Sequence, residues 1–182
     1  MATSSDAQLG AIRLAWWRER LDELDQGTSP AEPRLQAVAH DLLPRSVSGH
    51  ELTQFEDAWQ PLLAPFPWSE AQVDGLALRG RILFGVGARL LGCSAHDAEA
   101  VVGAFWSIAD GAQHCSDAPS RQLLATSAGE ALTAIGDRPP RKLRPLTVIA
   151  ALAAADLLHE AGGLARLSTA VRHRLTGRMP RS

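Results

Sequence analysis

The chain has 182 residues, 46% hydrophobic and 21% charged, which excludes a disordered polymer and suffices for a core that needs no metal or disulfide staple. Its 18 basic and 20 acidic side chains leave a net charge of −2, so no global field draws it to nucleic acid or to an anionic membrane. Two cysteines, Cys93 and Cys115, stand in no metal-binding or redox spacing, which makes a reducing cytoplasmic setting the default.

Helical periodicity runs through nearly every segment, and none alternates as a strand would. The first helix is expected over about 6–25, with Leu14, Trp17, Leu21 and Leu24 as its apolar stripe and Gly27, Pro30 and Pro33 ending it. Residues 31–43 form a short second helix closed by Pro44. Ser48 caps a third, which places Leu52, Phe55, Trp59 and Leu62 on one face before the turn at Pro61, Pro65 and Pro67. Ser69 caps the fourth, where Val73, Leu76, Leu83, Phe84, Leu90 and Leu91 recur at helical spacing and Gly92 stops the helix. Gly75, Gly80, Gly85 and Gly87 inside it cost about 1 kcal/mol each against alanine, so they imply a close helix neighbour or room for a ligand.

Ser94, with Asp97 in the capping-box position, opens the fifth helix, whose stripe is Val101, Val102, Phe105, Ile108 and Ala112. The sixth runs from Pro119 to Ile135 and ends at Gly136. A basic, proline-rich loop from Asp137 leads to a seventh helix starting at Pro145. Its apolar run, 146–158, is broken by Asp156 and is too short to span a bilayer, so it reads as a buried helix. A last helix over 164–175 leads into a basic tail ending at Ser182. The N-terminus has no secretory pattern, and the whole reads as one all-α helical domain, 1–182.

Residues 10–24 read GAIRLAWWRERLDEL, and a Trp-Trp pair inside an arginine-rich amphipathic helix is uncommon. The segment closely resembles the "IRL-x-WWR-x-x-L" helix of bacterial squalene/phytoene synthase-like proteins. Residues 31–43, the 52–62 helix with Glu56 and Asp57, the glycine-containing helix to Gly92, and the last third with Arg144, Leu146 and Asp156 follow in the family's order. The resemblance implies an all-α prenyl-synthase fold, N-terminally short, with an apolar cavity lined by Gly80, Phe84, Gly87 and Phe105. It further implies head-to-head condensation of prenyl diphosphates, which requires two aspartate-rich helical motifs holding Mg²⁺ against the leaving diphosphate.

The chain departs from that pattern at both motifs. Eleven residues precede Ile12, where the first motif belongs, and at the second Asp110 is followed four residues later by His114 instead of aspartate. The chain also has no tyrosine, a residue active members place in the cavity. Asp110, His114 and Asp117 share a helix face and form a candidate diphosphate- or metal-binding remnant, although histidine suits Mg²⁺ poorly. The other account of the three is a polar helix end, with Asp117 opening the next turn. Arg13, Arg18 and Arg20 beside Trp16 and Trp17 are candidate phosphate contacts. The alternative is ion pairing with Glu19, Asp22 and Glu23 together with arginine–tryptophan stacking. Trp17 is expected in the core and Trp16 at an interface.

The basic loop and tail, Arg138, Arg141, Lys142, Arg144, Arg172, Arg174, Arg178 and Arg181, are candidates for an acidic partner or peripheral membrane contact; the other account is a solvated surface, and the loop prolines and low apolar content of the tail weigh against a membrane helix. No phosphate-cradling glycine loop, hydrolase elbow, zinc signature or nucleic-acid motif occurs, and no catalytic residue is assigned. The expectation is therefore a catalytically silent relative that binds an isoprenoid lipid or assists assembly, without a cofactor. A protein partner or second copy is expected to cover the short N-terminal side. The alternative is a prenyl diphosphate transferase, or a subunit of one, that uses Mg²⁺ and lacks its first helices in this chain.

Overall fold

Leucine and tryptophan at spacings of three and four give α1 (Ser4–Leu24) one apolar side, and Leu24 at its end is buried. The computed structural model describes residues 4–28, 30–93, 97–136, 138–159 and 162–181. Among these every regular element is helical: α2 (Pro33–Asp41), α3 (Gly49–Thr53), α4 (Phe55–Trp59), α5 (Glu70–Leu90), α6 (Asp97–His114), α7 (Ala118–Thr133), α8 (Arg144–His159) and α9 (Gly163–Thr176), with short 3₁₀ turns at Leu43–Arg45, Gln60–Leu63 and Arg141–Leu143. The expected cap Ser94, the side chains of Asp97 and His159, and His96, Asp137 and Ser182 lie outside the described residues.

The main core is built by α5, α6, α7 and α8, with Leu76, Phe84, Phe105, Ile108, Leu124 and Ala150 among its buried residues. A smaller cluster, Val47, Leu52 and Val86, joins α5 to α1 through Leu21. Four of the five residues of the expected α6 stripe, Val102, Phe105, Ile108 and Ala112, are buried, and Val101 is half-buried. The α8 run is buried through small residues, Ala150, Ala151, Ala154 and Ala155, which let its neighbours approach closely.

The α5–α6 crossing is set by a pair of glycines. A Cβ on Gly80 would collide with the Gly103 carbonyl, and one on Gly103 would collide with the Gly80 carbonyl. Backbone therefore meets backbone, which no larger residue permits. Gly75 similarly faces the Ala58 carbonyl, and Gly87 faces Leu146. Gly85 meets open space, so of the two accounts of these glycines, a close neighbour or room for a ligand, the close neighbour is found at three of the four.

Two sequence expectations are corrected. The third helix is two short helices and a 3₁₀ turn instead of one continuous element. Thr53 Oγ1 donates to the His50 carbonyl, competing with the helical ladder, and Pro61 lacks an N–H to continue it. Trp59 accordingly leaves the buried face and is 41% exposed. Leu83 and Leu91, placed in the α5 stripe, are each 40% exposed. The crossing aims Gly80 and Phe84 inward, and Leu83 lies about 100° around the helix from Phe84.

Polar side chains hold the periphery. Asp25 accepts from the N–H groups of Gly49 and His50 at 2.7 and 2.8 Å, capping α3 together with Ser48. Gln72 Oε1 accepts from the Ser69 N–H at 2.7 Å and its amide donates to the Pro61 carbonyl at 2.9 Å, fixing the entry to α5. α9 is tied down at both ends. Asp156 pairs with Arg166, and Arg144 donates to the carbonyls of Arg174, Leu175 and Thr176. Between them His173 is fully buried, 2.8 Å from Thr147 Oγ1 and 3.1 Å from the Arg178 carbonyl. Gly177 ends α9 in the left-handed region at φ 74°.

Gly80→Ala is expected to cost about 2 kcal/mol through forced separation of α5 and α6, whereas Gly85→Ala in open space gains about 0.5–1 kcal/mol. Urea denaturation of the two variants distinguishes this crossing from a general effect of α5 glycines. Burial holds the His173 pKa below its ordinary value, and the Arg144 charge adds to this against the Arg178 hydrogen bond. The unfolded chain therefore binds the proton more readily, and stability is full above the unfolded pKa near 6.5 and falls as pH drops below it. Melting temperature against pH is expected to lose this acid-side slope in His173→Gln.

Candidate functional site

Arg79 stands one residue before the α5 crossing glycine and three after buried Leu76, a position directed at α6. Its Nε donates to Ser107 Oγ at 2.9 Å, and its Nη2 donates to Asp110 Oδ2 at 3.0 Å. The guanidinium carbon lies 5.2 Å from the Trp59 ring centroid and 5.8 Å from that of Trp106. Hydrogen bonds along the guanidinium edge and two aromatic rings around it account for a charge that is only 15% exposed. Ser107 is itself fully buried, so its hydroxyl needs this partner.

That arrangement decides the role of Asp110. Its carboxylate is already neutralised by a guanidinium from the same chain. His114 Nδ1 lies 2.8 Å from the Asp110 carbonyl and 3.5 Å from its Oδ1, at the exposed end of α6. Asp117 turns away to cap α7, accepting from the Ser120 N–H at 3.0 Å and the Ser120 hydroxyl at 2.6 Å. The candidate remnant thus divides: Asp110 and His114 are adjacent, while Asp117 serves another helix, as the helix-end account describes. What remains is one carboxylate, shared with Arg79, beside a histidine, which suits Mg²⁺ poorly. Among the described residues no group of three or more histidine, cysteine or acidic side chains is gathered to hold a metal.

The candidate phosphate contacts are also dispersed. Arg18 pairs with Glu56 of α4 at 3.3 Å, and Arg20 with Glu23 at 2.8 Å, whereas Arg13 is exposed. Trp17 is half-buried instead of fully in the core. It meets Trp16 edge-to-face at 5.1 Å, and Trp16 is 41% exposed.

The four expected cavity residues are packing positions. Phe84 and Phe105 are fully buried in the core, Gly80 abuts Gly103, and Gly87 abuts Leu146. The space a ligand would need beside Gly80 is filled by the backbone of α6. An apolar groove of about 210 Å³ lies elsewhere, between α1 and the α3–α4 segment, lined by Leu14, Trp17, Leu21, Leu52, Phe55 and Trp59, with Arg18 and Glu56 also in its wall. Sequence reasoning placed three of these residues on one α3–α4 face and three on the α1 stripe, but not against a common space. It passed over Arg79, whose signal was a lone charge at core spacing beside a crossing glycine.

Arg79→Ala is expected to lose about 2 kcal/mol, as for a hydrogen bond to a charged group, and Asp110→Asn less, because an amide still accepts. Arg18→Ala at the exposed Glu56 pair costs about 0.5 kcal/mol or less. Thermal denaturation of the three variants in parallel ranks them.

No protein-family model, no curated protein and no solved structure matches the chain.

Proposed function

We propose that the chain is a catalytically silent helical binding protein of squalene/phytoene synthase type, one that holds an apolar ligand or partner and does not turn over a prenyl diphosphate. The observation that carries this reading is the Arg79–Asp110 pair at 3.0 Å. In the resembling enzymes a carboxylate at this place serves Mg²⁺ and the departing diphosphate. Here the carboxylate serves a guanidinium clamped by Ser107, Trp59 and Trp106. The positive charge that a metal would bring is supplied from within, at a fixed place.

The binding surface is then the α1 side of the molecule. Its groove is smaller than the roughly 300–1,000 Å³ of pockets that enclose a small-molecule ligand. It suits the branched end of an isoprenoid chain, or an apolar side chain of a partner. Outside the groove Leu9, Ile12 and Trp16 follow one another on α1 at spacings of three and four, at 54%, 61% and 41% exposure. An exposed apolar stripe of this kind marks an interaction surface, and a second protein is the occupant this reading gives it.

Incubation with farnesyl and geranylgeranyl diphosphate plus Mg²⁺ is expected to release no diphosphate. Farnesol, which lacks the diphosphate, is expected to change the fluorescence of Trp17 and Trp59, and chelation is expected to leave the change intact. Diphosphate release that vanishes in Asp110→Ala refutes the silent reading. Absence of any farnesol response removes the lipid arm and leaves a protein partner.

A further inference from the structure

The exposed apolar stripe of α9 is longer than that of α1. Leu164, Leu167, Val171 and Leu175 occur at spacings of three and four, and they are 87%, 62%, 50% and 72% exposed. The stripe is about 16 Å long at 1.5 Å per residue. Its opposite face is held against α8 by buried Thr169 and His173, and its C-terminal carbonyls are held by Arg144. The helix is thus already folded, with its apolar side turned to solvent. At 100° per residue, Arg172 and Arg174 fall about 80° to either side of the Leu164–Val171–Leu175 line. From Gly162 to Ser182 the sequence carries five arginines and no acidic residue. Four arginines, Arg138, Arg172, Arg178 and Arg181, also line the neighbouring clefts beside Met179.

We propose that the outer face of α9 docks on an anionic lipid surface, with the leucine–valine stripe in the acyl boundary and the arginines on lipid phosphates. Three observations select this occupant. The stripe is convex, so it fills no groove and lies flat in an interface. Basic residues flank it on both sides, which is the pattern of an interfacial amphipathic helix. A second copy docked by the same face would bring Arg172 and Arg174 against the like charges of its twin, which disfavours a symmetric dimer here. The overall charge of −2 does not oppose binding, because the positive charge is concentrated at the surface that touches lipid. No helix among the described residues is long and apolar enough to cross a membrane, so the contact is peripheral.

Flotation of the full chain with vesicles tests the proposal. Binding is expected to vesicles of phosphatidylglycerol and phosphatidylcholine in equal parts, and to weaken with salt and on pure phosphatidylcholine. Leu167→Glu with Val171→Glu is expected to abolish flotation, with unchanged circular dichroism and melting temperature, because both side chains are exposed. Arg172→Gln with Arg174→Gln is expected to weaken binding to anionic vesicles about thirtyfold, roughly fivefold per arginine near the surface. Equal binding to neutral and anionic vesicles overturns the proposal, as does binding that the glutamate pair leaves unchanged. Absence of flotation also overturns it. A self-association in sedimentation that the glutamate pair disrupts then assigns the face to a second copy.

Discussion

At Gly80 and Gly103 backbone meets backbone, each carbonyl occupying the space a Cβ of the other would need. That contact brings α5 and α6 nearer than side chains normally allow, and Phe84 and Phe105 close over it in the core. Much else depends on it. Residue 79 falls directly beside the crossing, so an arginine there has little choice but to lie along α6. Burial of its charge is then made tolerable by Ser107, Asp110 and two tryptophan rings. The Arg79 cluster and the α5–α6 backbone contact are therefore consequences of one geometry.

Asp110 Oδ2 faces the Arg79 guanidinium across 3.0 Å, and removing the carboxylate would leave that guanidinium without its charge partner. The candidate binding surfaces lie on elements that depend less on the main core: the groove of α1 with α3 and α4, and the outer side of α9.

The helical class and most element boundaries were legible in the residues, because periodicity reports directly which side of a helix must be buried. α6 shows this well, since its stripe is the observed core face. The α3–α4 break was less legible. A threonine hydroxyl bonding three residues back and a proline two turns later each perturb the ladder only slightly, and their sum appears only when the chain is folded. For the candidate site, Asp110 and His114 were found by their spacing, but Asp117 was drawn to the next helix because an aspartate before a proline-containing first turn caps better than it coordinates.

Sequence alone determined that this is an all-helical chain, that glycines in α5 imply a close neighbour, and that the basic residues gather towards the C-terminus. These follow from local rules, in which each residue acts on neighbours within a turn or two. Only the tertiary structure decided that Arg79 neutralises Asp110, that Gly80 and Phe84 are packed core instead of cavity wall, and that the leucines of α9 face outward. A charge partner 31 residues away and the solvent exposure of a stripe are properties of how helices are set against one another. Amphipathic spacing specifies that a helix has an apolar side; what that side meets is decided by the rest of the fold.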